Sequence, residues 1–298
     1  MFRCLFFATV FLPLSLLATP AAAQQAWIID SMENDTALSV FDFTDPVPAR
    51  VATINIPFGN GMTGGGPNGD LYLIDRPLGT NTMAFLSRLD PIDLELEVIG
   101  PINTPNTPLV RDLAVLPDGR ILMSAEVGTG AGLYTLDPAT GAATLITQMA
   151  DPPDALAVLN GRVYAGARID PPNNLDFALF ELDPQTGALT LLFTVPGDVF
   201  GGMSSMTSSP TENLLYVTSS FVVGSPPFLR IDNTVIDPAS GVIETFSGGR
   251  ANTRPLQGLA LVENSVAVAV PSLSGASMPV FLALLLAAGL AVIRYRSV

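Results

Sequence analysis

GLYTLDPATGAATLIT, residues 132–147, decides the fold of this chain because the same pattern returns at nearly even intervals. Each copy has two short apolar runs on either side of an Asp-Pro turn, which reads Asp-Pro-x-x-Gly in the copies from Gly132, Ala178 and Asn233. In such a turn the Asp side chain can bond its own backbone, Pro fixes φ, and Gly supplies a positive φ. The clear copies begin at Ala84, Gly132, Ala178 and Asn233, and a weaker copy begins at Leu38.

The spacing of these copies indicates the architecture. The aspartate before proline recurs at Asp45, Asp90, Asp137, Asp183 and Asp237, at intervals of 45, 47, 46 and 54 residues. Periods of about 40 to 50 residues with short alternating strands are typical of propeller blades with four strands each. We therefore assign each pair of apolar runs to the two outer strands, C and D, of one blade.

A second repeat supplies the inner strands. Its copies are GMTGGGPNGDLYLID from Gly61, DLAVLPDGRILMSA from Asp112, ALAVLNGRVYAGA from Ala155, and GMSSMTSSPTENLLYVTSS from Gly202. Each shows two strands around an Asn-Gly, Asp-Gly or Glu-Asn turn, and such turns favour hairpins. We assign these pairs to strands A and B, and the small residues of strand A suit the crowded centre of a radial fold.

The two ends of this region complete the pattern. AWIIDS from Ala26 matches a strand B that lacks its strand A, and GLALVEN from Gly258 is a strand A without a blade. Pairing the two would close the ring and remove free sheet edges. The sequence predicts an all-β fold over residues 24–264, a β-propeller of five four-stranded blades closed by a C-terminal strand. An open sandwich of the same strands is the alternative.

Both ends of the chain carry apolar segments. Residues 1–23 have a basic start, an apolar stretch and an Ala-Ala-Ala cleavage site, which together predict a secretory signal peptide. Residues 265–277 form a stalk and a short motif, residues 278–293 an apolar predicted transmembrane helix, and residues 294–298 a basic tail. Because the arginines lie only beyond the helix, we expect that tail in the cytoplasm and the propeller outside.

The C-terminal tail resembles the IPTL-CTERM sorting signals of Gram-negative bacteria, which combine a short Pro-containing motif, an apolar helix and an arginine cluster. The motif position is occupied by Val270, Pro271, Ser272, Leu273 and Ser274. The resemblance implies an exosortase-type processing enzyme as a partner, and display at the cell envelope or surface. An ordinary single-pass anchor, held in the membrane by the same helix, is the alternative.

The composition excludes several kinds of chemistry. The chain has no His and no Lys, and its single cysteine, Cys4, lies in the predicted signal peptide. Histidine bases, Schiff-base lysines, phosphate-loop lysines and disulfides are therefore ruled out for the exported region. That region has ten arginines against twenty-seven acids, a net charge of −17. Such a surface repels nucleic acid, so we predict no nucleic-acid partner.

The face around the mouth of the central channel is the candidate ligand surface. In a propeller the D–A and B–C loops share one face, and we predict that they carry a rim of acids and arginines. The rim residues that we single out are Asp75, Arg76, Arg111, Asp112, Glu126, Asp154 and Arg168. Such a rim can hold a sugar or a peptide, and an acidic subset could hold Ca²⁺. A solvated loop rim without a ligand is the plainer interpretation.

Two classes of function remain. The first is a non-enzymatic surface protein that binds a ligand, a matrix polymer or a neighbouring protein, with no catalytic residues and no organic cofactor. The second is an exported propeller hydrolase or lyase that uses a metal held by carboxylates. Because enzymes of the second kind usually rely on His as well as acids, and this chain has none, the sequence favours the binding protein.

Overall fold

A computed structural model describes residues 25–32, 35–42, 45–54, 59–65, 69–75, 83–104, 108–127, 130–169, 177–195, 205–223, 228–250 and 256–261. This part of the chain is all-β, and it contains no helix long and apolar enough to cross a membrane. The predicted signal peptide, stalk, sorting motif, transmembrane helix and basic tail lie outside these residues.

The described part contains twenty strands. They are β1 (Gln25–Met32), β2 (Asp35–Asp42), β3 (Asp45–Ile54), β4 (Gly59–Thr63), β5 (Leu71–Asp75), β6 (Ala84–Leu89), β7 (Leu96–Ile102), β8 (Pro108–Val115), β9 (Ile121–Val127), β10 (Gly130–Leu136), β11 (Ala143–Met149), β12 (Ala155–Leu159), β13 (Arg162–Arg168), β14 (Phe177–Leu182), β15 (Leu189–Val195), β16 (Ser205–Ser209), β17 (Leu214–Val223), β18 (Phe228–Ile236), β19 (Ile243–Arg250) and β20 (Leu256–Leu261).

These strands form five antiparallel sheets of four strands. In order from the inner to the outer strand, they are β20-β1-β2-β3, β4-β5-β6-β7, β8-β9-β10-β11, β12-β13-β14-β15 and β16-β17-β18-β19, which we number as blades one to five. The inner strands contact one another in a closed ring, β20 to β4, β8, β12, β16 and back to β20. The chain is a five-bladed β-propeller, as the two repeats predict.

Blade one joins the two ends of the ring. Strand β20 pairs antiparallel with β1, and Trp27 lies opposite Ala260 and Ile28 opposite Leu259. All four of these side chains are buried. The predicted closure by the segment that begins at Gly258 is therefore confirmed, and the burial of Trp27 agrees with a core role for the single tryptophan.

The apolar core is divided between the blades. One buried cluster lies at each of four blade interfaces, so that successive sheets pack face to face. Representative side chains are Ile74 and Met123 between blades two and three, Leu122 and Leu156 between three and four, Leu179 and Val217 between four and five, and Tyr216 and Ile28 between five and one. Burial of this kind is the main stabilising term of a fold without disulfides.

The Asp-Pro turns have the predicted local chemistry in three blades. The Asp137 Oδ1 atom accepts a hydrogen bond from the backbone N–H of Ala139 at 2.8 Å, and Gly141 has φ of 75°. The turns that end at Gly187 and Gly241 repeat both features. Blade two differs, because Leu94 takes the glycine position with φ of 59°. A left-handed conformation at a residue with a Cβ is strained by about 1–2 kcal/mol.

The same glycines also contact the preceding blade. A Cβ atom added at Gly141 would lie 2.6 Å from the carbonyl oxygen of Gly100 in blade two. At Gly187 an added Cβ would lie 2.3 Å from Cγ2 of Thr147 in blade three. The turns at Gly141 and Gly187 therefore pack tightly against the outer strand of the blade before them, and glycine is required at both for space as well as for its backbone conformation. At Gly241 an added Cβ would meet Phe193 only at an ordinary contact distance of 3.7 Å.

Candidate functional site

Three charged side chains come together on the face where the inner strands begin. Arg111 lies on β8 and Glu126 near the end of β9, both in blade three, whereas Asp154 immediately precedes β12 of blade four. The Nη1 atom of Arg111 is 3.1 Å from Asp154 Oδ1, and its Nη2 atom donates to Glu126 Oε1. We call Arg111, Glu126 and Asp154 the charged cluster. It links two adjacent blades.

A β-bulge orients the arginine of this cluster. Val110 pairs with Ala125 and Asp112 with Ser124, so Arg111 is the extra residue without a partner on β9. Bulges re-aim side chains, and here the buried Val110 and Leu113 reach the same core cluster although they are three residues apart. Arg111 is thereby left at the mouth with a side chain that is 30% exposed.

The two terminal nitrogens of Arg111 are each paired with an acid, whereas its Nε atom is buried without a hydrogen-bond partner among the described residues. Burial alone would lower the pKa of Arg111, but the hydrogen bond to Glu126 and the negative charges of Asp154, Glu126 and Asp151 raise its pKa overall. Asp154 is further positioned by its backbone N–H, which donates to the carbonyl of Gly166 at 2.8 Å. The cluster is a partly exposed patch of mixed charge rather than an isolated catalytic acid or base.

Asp112 does not belong to the rim that the sequence predicted. It lies within β8, is 0% exposed, and is held between the inner strands of three blades. Its Oδ2 atom accepts hydrogen bonds from the backbone N–H of Leu156 at 2.8 Å and of Met206 at 3.1 Å. Its Oδ1 atom lies 2.8 Å from the hydroxyl oxygen of Ser205. The prediction of a solvent-facing loop position was wrong because the bulge at Arg111 sends the following side chain inward.

Asp75 lies at the mouth in blade two, as the last residue of β5. Its side chain is half-buried, and its Oδ1 atom is buried without a hydrogen-bond partner among the described residues. Burial raises the pKa of Asp75 to about 6. A carboxyl group with a pKa near neutrality is a recognised feature of functional sites. Arg76, which follows it, lies outside the described residues.

The predicted rim residues mostly lie on strand ends rather than in loops. Asp75, Glu126 and Arg168 occupy the last or next-to-last positions of the B strands of blades two, three and four. The side chain of Arg168 lies outside the described part of the structure. The structure therefore brings together Arg111, Glu126 and Asp154, moves Asp112 into the core, and shows no contact of Asp75 with them among its described interactions.

Two serines that contribute to this region were not predicted as polar partners. Ser205 was interpreted only as a small inner-strand residue, yet its hydroxyl group bonds Asp112. The Ser124 hydroxyl donates to the carbonyl of Pro153, which fixes the segment just before Asp154 against blade three. Nothing in the local sequence marks Ser205 as a partner of Asp112, because the two residues lie 93 positions apart on different inner strands.

The charged cluster is a poor match for a divalent cation. Among the described residues, no group of three or more acids is arranged to hold a metal ion. Glu126 and Asp154 are both engaged by Arg111, so a cation would have to displace a guanidinium group from two carboxylates. The described geometry thus provides no ligand set for the Ca²⁺ that the acidic composition suggested.

Comparisons with known proteins show the fold and no family. No protein-family model and no curated protein sequence matches this chain. A structure described as a nidogen/laminin complex aligns over 81% of this chain and 99% of that chain, with 10% identity and a TM-score of 0.51. The periplasmic gluconolactonase of Pseudomonas aeruginosa aligns over 82% and 100%, with 12% identity and a TM-score of 0.45. A Lactobacillus plantarum protein aligns over 82% and 86%, with 13% identity and a TM-score of 0.43.

Proposed function

We propose that this protein is an exported, non-enzymatic binding protein that presents the charged cluster of its propeller to a polar ligand or matrix polymer outside the cell. The observation that carries the proposal is the bridge by Arg111 of two acids from adjacent blades. Arg111 and Glu126 remain 30% and 41% exposed while they are paired with each other. A preformed patch of donors and acceptors on rigid strands suits recognition of a polar surface.

The net negative charge of the propeller also favours a polar ligand that is not a polyanion. With a net charge of −17 over residues 24–264, the propeller would repel polyanions, whereas neutral or cationic polymers would approach it without a penalty. Arg111 is the one arginine at this face whose side chain the structure describes. Because Arg111 is paired with Glu126 and Asp154, it does not provide a site for an anion. We therefore propose a neutral, hydroxyl-rich polymer such as an extracellular polysaccharide as the ligand class.

A binding assay with two matched arginine variants tests the proposal. The full-length chain is sedimented with a purified neutral extracellular polysaccharide of the host, and we expect Arg111→Gln to weaken binding by about thirtyfold, the effect of a hot-spot residue. Arg162→Gln is the control, because Arg162 bonds Glu181 at 3.4 Å and begins β13, at the end opposite the mouth. Equal binding by both variants, or no binding by the wild type, would contradict the proposal.

The alternative of an exported hydrolase or lyase is favoured by one observation. Asp75 combines a pKa of about 6 with a buried oxygen that lacks a partner among the described residues. Such a group can take or give a proton near neutral pH. Turnover of a lactone or glycan substrate that Asp75→Asn abolishes, with an unchanged melting temperature, would establish the enzyme instead of the binding protein.

We propose that the C-terminal tail delivers the propeller to the cell surface, in line with the sorting signals that it resembles. Cleavage near Val270, Pro271, Ser272 and Leu273 would release the helix after export. Mass spectrometry of the protein from its host separates this route from a permanent anchor. A surface-exposed form whose last peptide ends at Val298 would identify the ordinary single-pass anchor.

A further inference from the structure

Asp112 joins three blades at the centre of the ring and has no role in the charged cluster. Its strand, β8, belongs to blade three, and its carboxyl group receives the backbone N–H groups of Leu156 in blade four and Met206 in blade five. Ser205 of blade five provides the third contact. No other side chain among those described has hydrogen bonds of this kind to three inner strands. The group is fully buried.

This arrangement suits an uncharged carboxylic acid. Oδ2 accepts both N–H groups, as a carbonyl oxygen does, and Oδ1 lies 2.8 Å from a hydroxyl group, which can accept as well as donate. A proton on Oδ1, donated to the Ser205 oxygen, would satisfy every contact without a buried charge. An ionised carboxylate in the same place would be a buried charge with no cation beside it, and burial disfavours that form more than the hydrogen bonds favour it.

The charged groups around Asp112 do not supply that cation. Arg111, the preceding residue on β8, donates to Glu126 and Asp154 instead. Glu126 on β9 and Asp154 ahead of β12 are both acids, and the packed inner strands β4, β12 and β16 carry no titratable side chain. Consistent with this environment, burial raises the pKa of Asp112 to about 8. Its four hydrogen bonds, one of them from the backbone N–H of Leu113, act in the opposite direction and lower the pKa.

We propose that Asp112 is a protonated carboxylic acid that fastens the inner strands of blades three, four and five, and that the folded ring loses stability as the pH rises through neutrality, because the unfolded chain gives up this proton more readily than the folded ring does. The device makes the stability of the propeller depend on pH through one residue. The role of Asp112 does not involve the charged cluster, so a test of this role does not test the proposed function.

Because few other groups of this chain titrate near neutral pH, the effect of Asp112 on stability can be measured separately. There is no His and no Lys, and the only cysteine is Cys4 in the predicted signal peptide. Between about pH 6.5 and 8, where histidines and amino termini dominate in other proteins, few groups of this chain change their charge. Asp75 titrates near 6 and is already ionised over most of that window.

The direction of the pH effect follows from the raised pKa of the folded state. Below the ordinary pKa of an aspartate both states are protonated and the stabilisation is complete. It is lost as the pH rises towards the folded-state value of about 8, and above that value the curve levels. Over about pH 6.5 to 8 the folding equilibrium constant of the wild type should fall by up to tenfold per pH unit.

Urea unfolding of the full-length chain at a series of pH values tests the proposal, with Asp112→Asn as the key variant. The amide keeps the shape and the acceptor oxygen, and it donates to Ser205 without titrating. We expect the fall between about pH 6.5 and 8 to vanish in Asp112→Asn and to persist in Asp118→Asn. Asp118 is the matched control because it lies at the exposed turn after the same strand and bonds Arg120.

An infrared measurement on the wild type keeps the test independent of how well the variant folds. A difference spectrum between pH 7 and pH 9.5 should show the carbonyl band of a buried carboxylic acid disappear as the pH rises. A wild-type stability that is flat over this range, a fall that Asp112→Asn retains, or the absence of that band at pH 7 would each overturn the proposal.

Discussion

Glycines in the Asp-Pro turns have two separate structural roles, a backbone conformation and a packing contact, and only the first can be predicted from the sequence. The motif predicts a positive φ at its glycine, which the structure confirms at Gly141, Gly187 and Gly241. The close approach of Gly141 and Gly187 to the preceding blade depends on residues about 40 positions away. A local pattern contains no information about that neighbour, so the packing role could not be predicted.

Gly187→Ala should destabilise the protein more than Gly119→Ala, although both glycines have a positive φ. Gly119 has no heavy atom within 4 Å of an added Cβ, so its substitution costs about 1–2 kcal/mol for backbone strain alone. At Gly187 the added Cβ meets Thr147 Cγ2 at 2.3 Å, and overpacking should cost about 1–3 kcal/mol more. Urea unfolding of the two variants measures the difference.

The double variant Gly187→Ala with Thr147→Ser isolates the contact, because serine lacks the Cγ2 atom. We expect it to recover part of the extra loss relative to Gly187→Ala alone. Equal losses in the two single variants, or no recovery in the double variant, would show that the turn does not press on the preceding blade.

Asp112 shows where the interpretation of single residues from sequence failed. An acid at the start of the apolar run DLAVL is normally a solvated strand end, and the sequence placed it on the rim. Its burial results from the bulge at Arg111, whose position is set by the pairing of β8 with β9. The partners of Asp112 lie 44 and 94 residues away, on the inner strands of other blades.

At the level of strands, the order within each sheet follows the two repeats closely. The repeats predicted strands A to D in every blade, because each strand is a short alternating run bounded by turn residues. They predicted the positions of Asp75, Glu126 and Arg168 less well, since these residues extend the B strands instead of lying in loops. Strand length beyond the apolar core depends on backbone pairing, which side-chain alternation does not report.

Strand β20 should contribute a large share of the stability of the propeller. A chain that ends at Pro255 lacks β20, so the edge of β1 is unpaired and the buried side chain of Ile28 is exposed. The loss should amount to several kcal/mol, against the about 5–15 kcal/mol of a typical domain. Thermal unfolding and binding of a hydrophobic dye measure it.

A chain that ends at Glu263 is the control for this truncation, because it retains β20 and lacks the same C-terminal tail. It should melt as the full-length chain does. Equal melting temperatures for the chains that end at Pro255 and Glu263 would mean that β20 does not close the fold.

At the level of the whole molecule, closure of the ring connects the fold to the proposed function. The charged cluster spans blades three and four, and Asp112 fastens blades three, four and five, so both depend on the spacing that a closed ring imposes. A propeller holds such groups on short rigid strands without disulfides, which matches a chain whose single cysteine lies in the predicted signal peptide. An open sandwich would not bring five inner strands together.

Cross-linking of the first strand to the last tests closure of the five-bladed ring most directly. Ala26 lies opposite Leu261 in the β1–β20 pair, and paired Cα atoms in antiparallel strands are within the range that a disulfide spans. In the full-length chain with Cys4→Ser, the pair Ala26→Cys and Leu261→Cys should form an intramolecular disulfide on mild oxidation. Ala26→Cys with Val98→Cys, which places the second thiol on an exposed site of β7, is the control. The closed propeller predicts a linked pair of peptides, detected by mass spectrometry, for the first pair alone; an unlinked first pair in folded, monomeric protein, or equal linking of both pairs, would contradict it.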